Sequence, residues 1–352
     1  MTRHAKAMRL RTRVVHRLVD RSSWRQRAGP IVLVYHRIAP IRADPQLLSV
    51  TPENFAQHLE VVQQEYEAAR LSDLVLSNAA GRAPARTVAI TFDDGYADNL
   101  VKAKPLLQRA AVPATVFVAS GYVGGRRLFW WDELERLLLR PGRLPPTVTL
   151  KVERESLSWE LGEAASYSSA QFRAHAGWTV LDEDDPTPRH GLYRLLCSRL
   201  RALEETTRSA AIQELRSLVA CENDDDIGRP LTLTELTQLA EGGLIEVGAH
   251  TVSHPVLSHL SPNRQREEIG ASKRVLEEVL TSQVTSFAYP YGASADFDGT
   301  TASIVREAGF EYACTTISGR LNSRTDRFRL PRLVVRNWSG SEFARCLAQD
   351  GP

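Results

Sequence analysis

Thr87-Val88-Ala89-Ile90-Thr91-Phe92, followed at once by Asp93-Asp94-Gly95, is the stretch that most narrows what this chain can become. Six β-branched or apolar residues in a row read as a buried strand, and Gly95 permits a sharp turn before a helical pattern that begins near Tyr96. Two adjacent carboxylates therefore stand at the C-terminal end of a buried strand. Side chains alternate along a strand and this one is ending, so the two can point in different directions and do different jobs. Alone, an Asp-Asp-Gly tripeptide is more often a solvated turn. The rest of the chain decides against that reading.

The same rhythm recurs on both sides. Ile31-Val32-Leu33-Val34-Tyr35 is a strand delivering His36 and Arg37 at its end, and Thr51-Pro52 opens a helix running to about Glu65. After the Asp93 strand come a helix over roughly 97–110 and a strand over 113–118. Thr232-Leu233-Thr234-Glu235 is a capping box, Leu244 to Val247 a strand ending at Gly248-Ala249-His250, and Ser261-Pro262 the start of a long helix. Ser286 to Tyr289, Glu311 to Thr315 and Leu330 to Val335 complete the strands, before a short C-terminal helix. Alternating units of this kind predict an α/β fold with a parallel sheet or barrel.

Between Gly124 and about Gly228 the rhythm breaks. Phe129-Trp130-Trp131 leads into a helix through Leu139, Thr147 to Val152 reads as a strand, and helices follow near 190–220. This predicts a largely helical insertion over 126–228, growing from one strand–helix loop, with barrel parts at 30–125 and 229–352. Such loops commonly carry binding surface. Trp130 and Trp131 are suited to stacking on a sugar ring, or to pinning the insertion onto the core.

Charge separates the first segment from the rest. Residues 1–29 hold nine cations against Asp20 alone, a net +8, which leaves −6 for the remainder of a chain of net charge +2. The whole protein is therefore not a nucleic-acid binder. Ala7, Leu10, Val14 and Leu18 make an apolar stripe on an arginine-rich helix, suited to peripheral contact with an anionic membrane, with Trp24 at the interface. A frayed basic tail or a helix packed on its own domain remain open. The sequence shows no bilayer-crossing apolar run and no signal-peptide core, and its four scattered cysteines suit a reducing compartment. The expected location is cytoplasmic, at the inner face of the membrane.

His250-Thr251-Val252-Ser253-His254 places two imidazoles four residues apart just past a strand. In a helical or tightly turned segment both reach one face, where a shared metal is held with positions left open for water and substrate. Thr91-Phe92-Asp93-Asp94-Gly95, His250-Thr251-x-x-His254 and Tyr289-Pro290-Tyr291-Gly292 together resemble the polysaccharide deacetylase (NodB-homology) family of carbohydrate esterases, over about residues 30–125 and 230–340. The resemblance implies an irregular (β/α) barrel of about seven strands with the site at their C-terminal ends, and metal-dependent hydrolysis of an acetyl group on a sugar. It implies Asp94, His250 and His254 as ligands of one divalent transition metal. Zn²⁺ leads, though the same donors accept Co²⁺, Ni²⁺, Fe²⁺ or Mn²⁺. It further implies Asp93 as general base and the Tyr291 backbone N–H as oxyanion donor, with Tyr289 and Pro290 beside it at the substrate.

Two departures from the family pattern bear on mechanism. An Arg that orients the catalytic Asp usually precedes the Pro of the third motif by two residues, where this chain has Ala288; Arg332, in Leu330-Pro331-Arg332-Leu333, is the candidate replacement. The usual C-terminal Leu-x-His that supplies the general acid is missing, since no His follows His259. Tyr35-His36-Arg37 is similar to the poly-N-acetylglucosamine deacetylase subgroup, whose motifs look circularly permuted, and this implies His36 as the acid. The expected function is N-deacetylation of N-acetylhexosamine units in an exopolysaccharide or a lipid-linked glycan precursor. The alternatives are a silent glycan-binding module on the same barrel, an O-acetyl esterase, or a sugar deformylase.

Overall fold

The computed structural model describes residues 29–124, 127–152, 155–219 and 228–349. The amphipathic helix expected near residues 5–20, and Trp24 with it, lie outside the described residues.

Seven strands follow one another around a curled parallel sheet: β1 (Ile31–Tyr35), β2 (Thr87–Phe92), β3 (Ala114–Val118), β4 (Ile245–Ala249), β5 (Ser286–Ala288), β6 (Tyr312–Cys314) and β7 (Leu333–Val334). Each of β1 to β5 pairs with the next, β7 pairs with β1, and a two-residue strand at Glu67–Ala68 adds to the start of β2. A bridge between Cys314 and Leu330 ties the segment entering β7 to β6, so the ring closes through residues 330–334. This is the expected irregular barrel. Register aligns the C-terminal ends: Tyr35 lies opposite Phe92, Val118 opposite Ala249, and Ala249 opposite Phe287.

Strand alternation sorts the apolar residues into two clusters. Ile31, Leu33 and Tyr35 join Phe55, Leu59 and Val62 of α1 (Pro52–Glu65) in the layer between sheet and helices. Val32, Ala89, Phe117, Ala288 and Cys314 fill the barrel, plugged at the far end by Leu71 and Leu74 of the helix Leu71–Ala79. Because Ala89 points inward, so do Thr91 and Asp93; because Val32 does, so does His36. The caps read from the sequence form as expected: Thr51 accepts from the Asn54 N–H, and Thr232 with Glu235 makes a capping box.

Between β3 and β4, α2 (Trp130–Leu139), α3 (Pro188–Arg201) and α4 (Glu205–Ser217) pack around their own apolar cluster, which includes Phe129, Leu134, Leu138, Leu192 and Leu215. The segment is largely helical, and the strand expected at Thr147–Val152 is present as part of a short antiparallel ribbon. Thr147–Val152 pairs antiparallel with Glu155–Glu160, and Gly142–Arg143 with Ser166–Tyr167. Among the described residues, no helix is long and apolar enough to cross a membrane.

Candidate active site

Asp93 and Asp94 reach the barrel mouth by different routes. Asp93 gets there by alternation alone. Asp94 would point away, but it sits at φ 75°, with the Gly95 N–H donating to the Asp93 carbonyl at 3.0 Å, a tight γ-turn that redirects its carboxylate. A non-glycine residue in this region costs about 1–3 kcal/mol and persists where the surroundings over-determine it. Here the next residue is Gly95 at φ 86°, where a Cβ would lie 3.0 Å from the Val118 side chain.

The two histidines come from a turn rather than a helix. Thr251 (φ 64°) and His254 (φ 56°) are both left-handed, so His250 at the end of β4 and His254 fold back onto one side. The turn is held from several directions. The Ser120 and Gly121 N–H groups donate to the Thr251 and Val252 carbonyls at 3.0 and 2.9 Å. Glu268 of α5 (Pro262–Leu280) accepts from the Val252 and Ser253 N–H groups, both at 2.9 Å, and from the Ser253 hydroxyl at 2.7 Å. Arg208 of α4, fully buried, donates to the Ser253 carbonyl at 2.8 Å.

Asp94, His250 and His254 are all buried, and their ligand atoms lie within 4.8 Å of one another. Asp94 Oδ1 is 3.3 Å from His254 Nε2 and 3.6 Å from His250 Nε2, yet among the described residues it has no hydrogen-bond partner. Burial lowers His250 to about 4, with Asp93 acting in the opposite sense, and it lowers His254 to about 3, helped by Arg208. Both rings are therefore neutral near pH 7. The Ala288 carbonyl, 2.7 Å from His250 Nδ1, fixes that tautomer and turns the Nε2 lone pair toward Asp94. An unpaired buried carboxylate oxygen facing two neutral imidazoles is costly unless a cation sits among them. The donor set fits a divalent transition metal.

Asp93 is built differently. Arg332 grips it with two parallel bonds, Nη1 to Oδ1 and Nη2 to Oδ2, both 2.7 Å, and also donates to the Thr315 carbonyl at 2.8 Å and to Thr91 Oγ1 at 3.1 Å. Burial pushes the Asp93 carboxyl up, but Arg332 and then His250 outweigh it, leaving the group at about 2. Burial raises the Asp94 carboxyl, against the pull of His36 and His250. Neighbouring carboxylates are thus set to different chemistry.

His36, half-buried, lines the same cavity, and its carbonyl accepts from Asn99 Nδ2 at 2.9 Å. Burial lowers its pKa, while the charges of Asp94 and Asp93 raise it. Tyr291 lines the cavity too. It is held at φ 60° in a second γ-turn, the Gly292 N–H donating to the Pro290 carbonyl at 2.7 Å, and no described residue accepts from its backbone N–H.

The cavity, about 330 Å³, also has Trp130 and Trp131 in its wall. Each is only 6% exposed within the insertion's apolar cluster, so these rings both face the site and anchor the insertion. Tyr289 and Pro290, expected at the substrate, are not among the residues lining this cavity. Tyr289 is fully buried, stacked on Phe297 at 4.1 Å with its hydroxyl donating to the Phe328 carbonyl, because the strand carries it into the layer behind the sheet. Pro290 is the first residue of the γ-turn. Sequence reading missed Arg208, Glu268 and Arg201, whose guanidinium lies 4.3 Å over the Tyr291 ring. Their only signal was position in long amphipathic helices, which any exposed Arg or Glu shares.

A strand-end Asp-Asp beside a turned His pair on a parallel barrel defines a class, and comparison with known proteins identifies it. Residues 80–144 and 223–313 match the family model described as polysaccharide deacetylase, so the chain carries a domain of the polysaccharide deacetylase family. YxkH of Bacillus subtilis (strain 168), also named a polysaccharide deacetylase, is 28% identical over 114 residues, 32% of this chain and 39% of that protein's length. Among solved structures, the Streptococcus pyogenes deacetylase PplD in complex with acetate is similar at a TM-score of 0.56 and 19% identity, over 93% of this chain and 100% of that one. IcaB from Ammonifex degensii gives 0.54 and 20%, over 93% and 99%. At these identities the structural likeness is one of fold.

Proposed function

We propose that the protein is a metal-dependent deacetylase that hydrolyses the N-acetyl group of an acetamido sugar. The observation that carries this reading is the asymmetry of the two carboxylates: Asp94 with its Oδ1 unpaired, among the described residues, beside two neutral imidazoles, and Asp93 gripped by a guanidinium. The first is what a cation site needs and the second is what a persistently ionised base needs. The names of the relatives, a deacetylase bound to acetate and a polysaccharide deacetylase, support the choice of acetyl group and of sugar.

Asp94 Oδ1, His250 Nε2 and His254 Nε2 would hold the cation. A bound divalent cation lowers the pKa of a water from about 15.7 to about 7, which brings it within reach of a carboxylate as weakly basic as Asp93. Asp93 takes the proton from the attacking water while Arg332 keeps the carboxylate oriented. The Tyr291 N–H, from which no described residue accepts, donates to the oxyanion that forms at the acetyl carbonyl; one such donor is worth about 10²–10³ in rate. His36 protonates the departing amine, without which the C–N bond does not break.

The test is metal content by elemental analysis beside acetate release from N-acetylglucosamine glycosides, wild type against His254→Ala. The expected result is about one transition metal per chain and metal-dependent acetate release, both lost in the variant. Full metal occupancy in His254→Ala overturns the ligand assignment. A wild type that stays empty after soaking in Zn²⁺ and Co²⁺, and releases no acetate, leaves a silent glycan-binding module.

A further inference from the structure

The strand ends around the site are covered one after another. After β1, the segment 44–48 is tied to the insertion. The Val180 N–H donates to the Pro45 carbonyl at 2.9 Å, and Gln46 Nε2 reaches Tyr193 Oη at 3.0 Å and Cys197 Sγ at 3.2 Å on α3. The far end of α3 is tied to the loop after β5, where Arg201 pairs with the buried Asp296 at 2.5 Å. α3 therefore lies as a bar across the barrel mouth, and Cys197, Ser198 and Arg201 line the cavity beneath it.

Behind the bar, α2 closes the β2–β3 side with a fixed wall. Trp131 donates to the Tyr96 hydroxyl at 2.8 Å, Tyr96 donates to Asp132 at 2.7 Å, and the Trp131 ring stacks on Phe129 at 5.0 Å and stands edge-on to His254 at 5.0 Å. α4 closes the β4 side through Arg208 and the Ser253 carbonyl. After β7, Arg336 donates to the Leu47 carbonyl and closes that side too. Among the described residues, the sector left uncovered is the one above β6, where Thr316 lines the cavity and Ile317 is exposed.

A linear polymer bound through an internal unit needs a groove with two open ends, and among the described residues only the β6 side is left uncovered. We infer that the substrate is an acetamido sugar at the end of a glycan or alone on a carrier, inserted acetyl-first through the β6 side, and that internal units of a chain are not substrates. The inference rests on the deacetylase reading above and sharpens its substrate class. The small volume agrees, since about 330 Å³ is near the lower bound of the roughly 300–1,000 Å³ usual for small-molecule sites.

Two measurements on the full-length protein test it. In the first, metal-loaded protein is given monomeric N-acetylglucosamine glycosides and β-1,4- and β-1,6-linked pentamers, and tandem mass spectrometry locates each lost acetyl group. The expected loss is from one terminal unit only, with kcat/KM alike for monomer and pentamer within about twofold. Loss from internal units overturns the inference and leaves the deacetylase reading standing. In the second, metal-free protein is titrated with the same compounds and its tryptophan fluorescence followed. Equal affinities are expected. A pentamer binding tenfold tighter than the monomer, or a monomer that does not bind, overturns the inference, and this readout holds even if no acetate is released.

Discussion

Arg332→Met is the substitution whose consequences follow most directly from the geometry. It keeps the length of the side chain and removes the bidentate grip on Asp93, with Arg332 0% and Asp93 2% exposed. Breaking a buried ion pair by deleting one partner costs about 3–5 kcal/mol. At about 2.1 cal/mol/K per residue, a chain of 352 residues has an unfolding entropy of about 0.7 kcal/mol/K, so the expected fall in Tm is about 4–7 °C. With its largest opposing charge gone, burial drives the Asp93 carboxyl upward from about 2. The sign follows: Asp93 ionises at a higher pH, so the acid limb of kcat/KM moves up. The stability deficit shrinks as pH falls, because the variant's native state then takes up a proton that the wild type takes up only near pH 2. Thermal melts at pH 7 and pH 4, a pH–rate profile and metal content together decide the matter. Metal content should hold, since Arg332 touches no proposed ligand. An unchanged rate with an unshifted acid limb would refute the role given to Arg332, whatever happened to Tm.

Asp93→Asn should keep its metal and lose hydrolysis by about 10²–10⁴-fold; a variant purified without metal would make Asp93 a ligand instead of the base. His36→Ala should slow amide hydrolysis far more than hydrolysis of an activated aryl acetate, whose leaving group departs without a proton. Equal losses on the two substrates remove His36 from the acid's role. Arg208→Met and Glu268→Gln, each loosening one side of the His250–His254 turn, should weaken metal affinity about 10–100-fold, read by competition with a chromogenic chelator. Affinities equal to wild type would mean that the turn holds its shape without them.

The parts legible in the sequence are those fixed by local chemistry. Five β-branched or apolar residues before His36, and six before Asp93, leave little besides a buried strand, and Pro after Thr51 and Ser261 marks helix starts that the structure has. The π-type widening over Asn99–Ala103 was hidden, although Pro105 gives its cause: without an N–H it cannot continue the regular ladder there. The strand Glu155–Glu160 alternates Ser156, Leu157, Ser158 and Trp159, but Leu157 and Trp159 are only part-buried, so the apolar contrast that marks a strand is weak. Among site residues, His36 and Asp93 were readable because alternation fixes where they point, whereas Asp94 is redirected by its turn. Arg201, Arg208 and Glu268 reach the site from helices across large sequence separations, and nothing local distinguishes them from surface charges.

Arg332 also shows how a guanidinium reaches Asp93 from a position other than 288. Ala288 lies at the barrel's interior face together with Phe117 and Cys314, and the Arg332 guanidinium sits 5.5 Å over the Phe117 ring in that same space. Closure of the barrel makes this possible. Leu330 bridges to Cys314 and Leu333 pairs with Leu33, so residue 332 crosses from the β6 side to the β1 side and passes over the interior between them. Two strands away from β2 around the ring, it meets Asp93 from the opposite side to position 288. A long side chain at 288 would fill the volume the guanidinium occupies, so a small residue at 288 and an arginine at 332 are one solution to one problem, and substituting either alone should disturb the base. Strand alternation delivers Asp93, and the ring's closure brings the guanidinium that grips it.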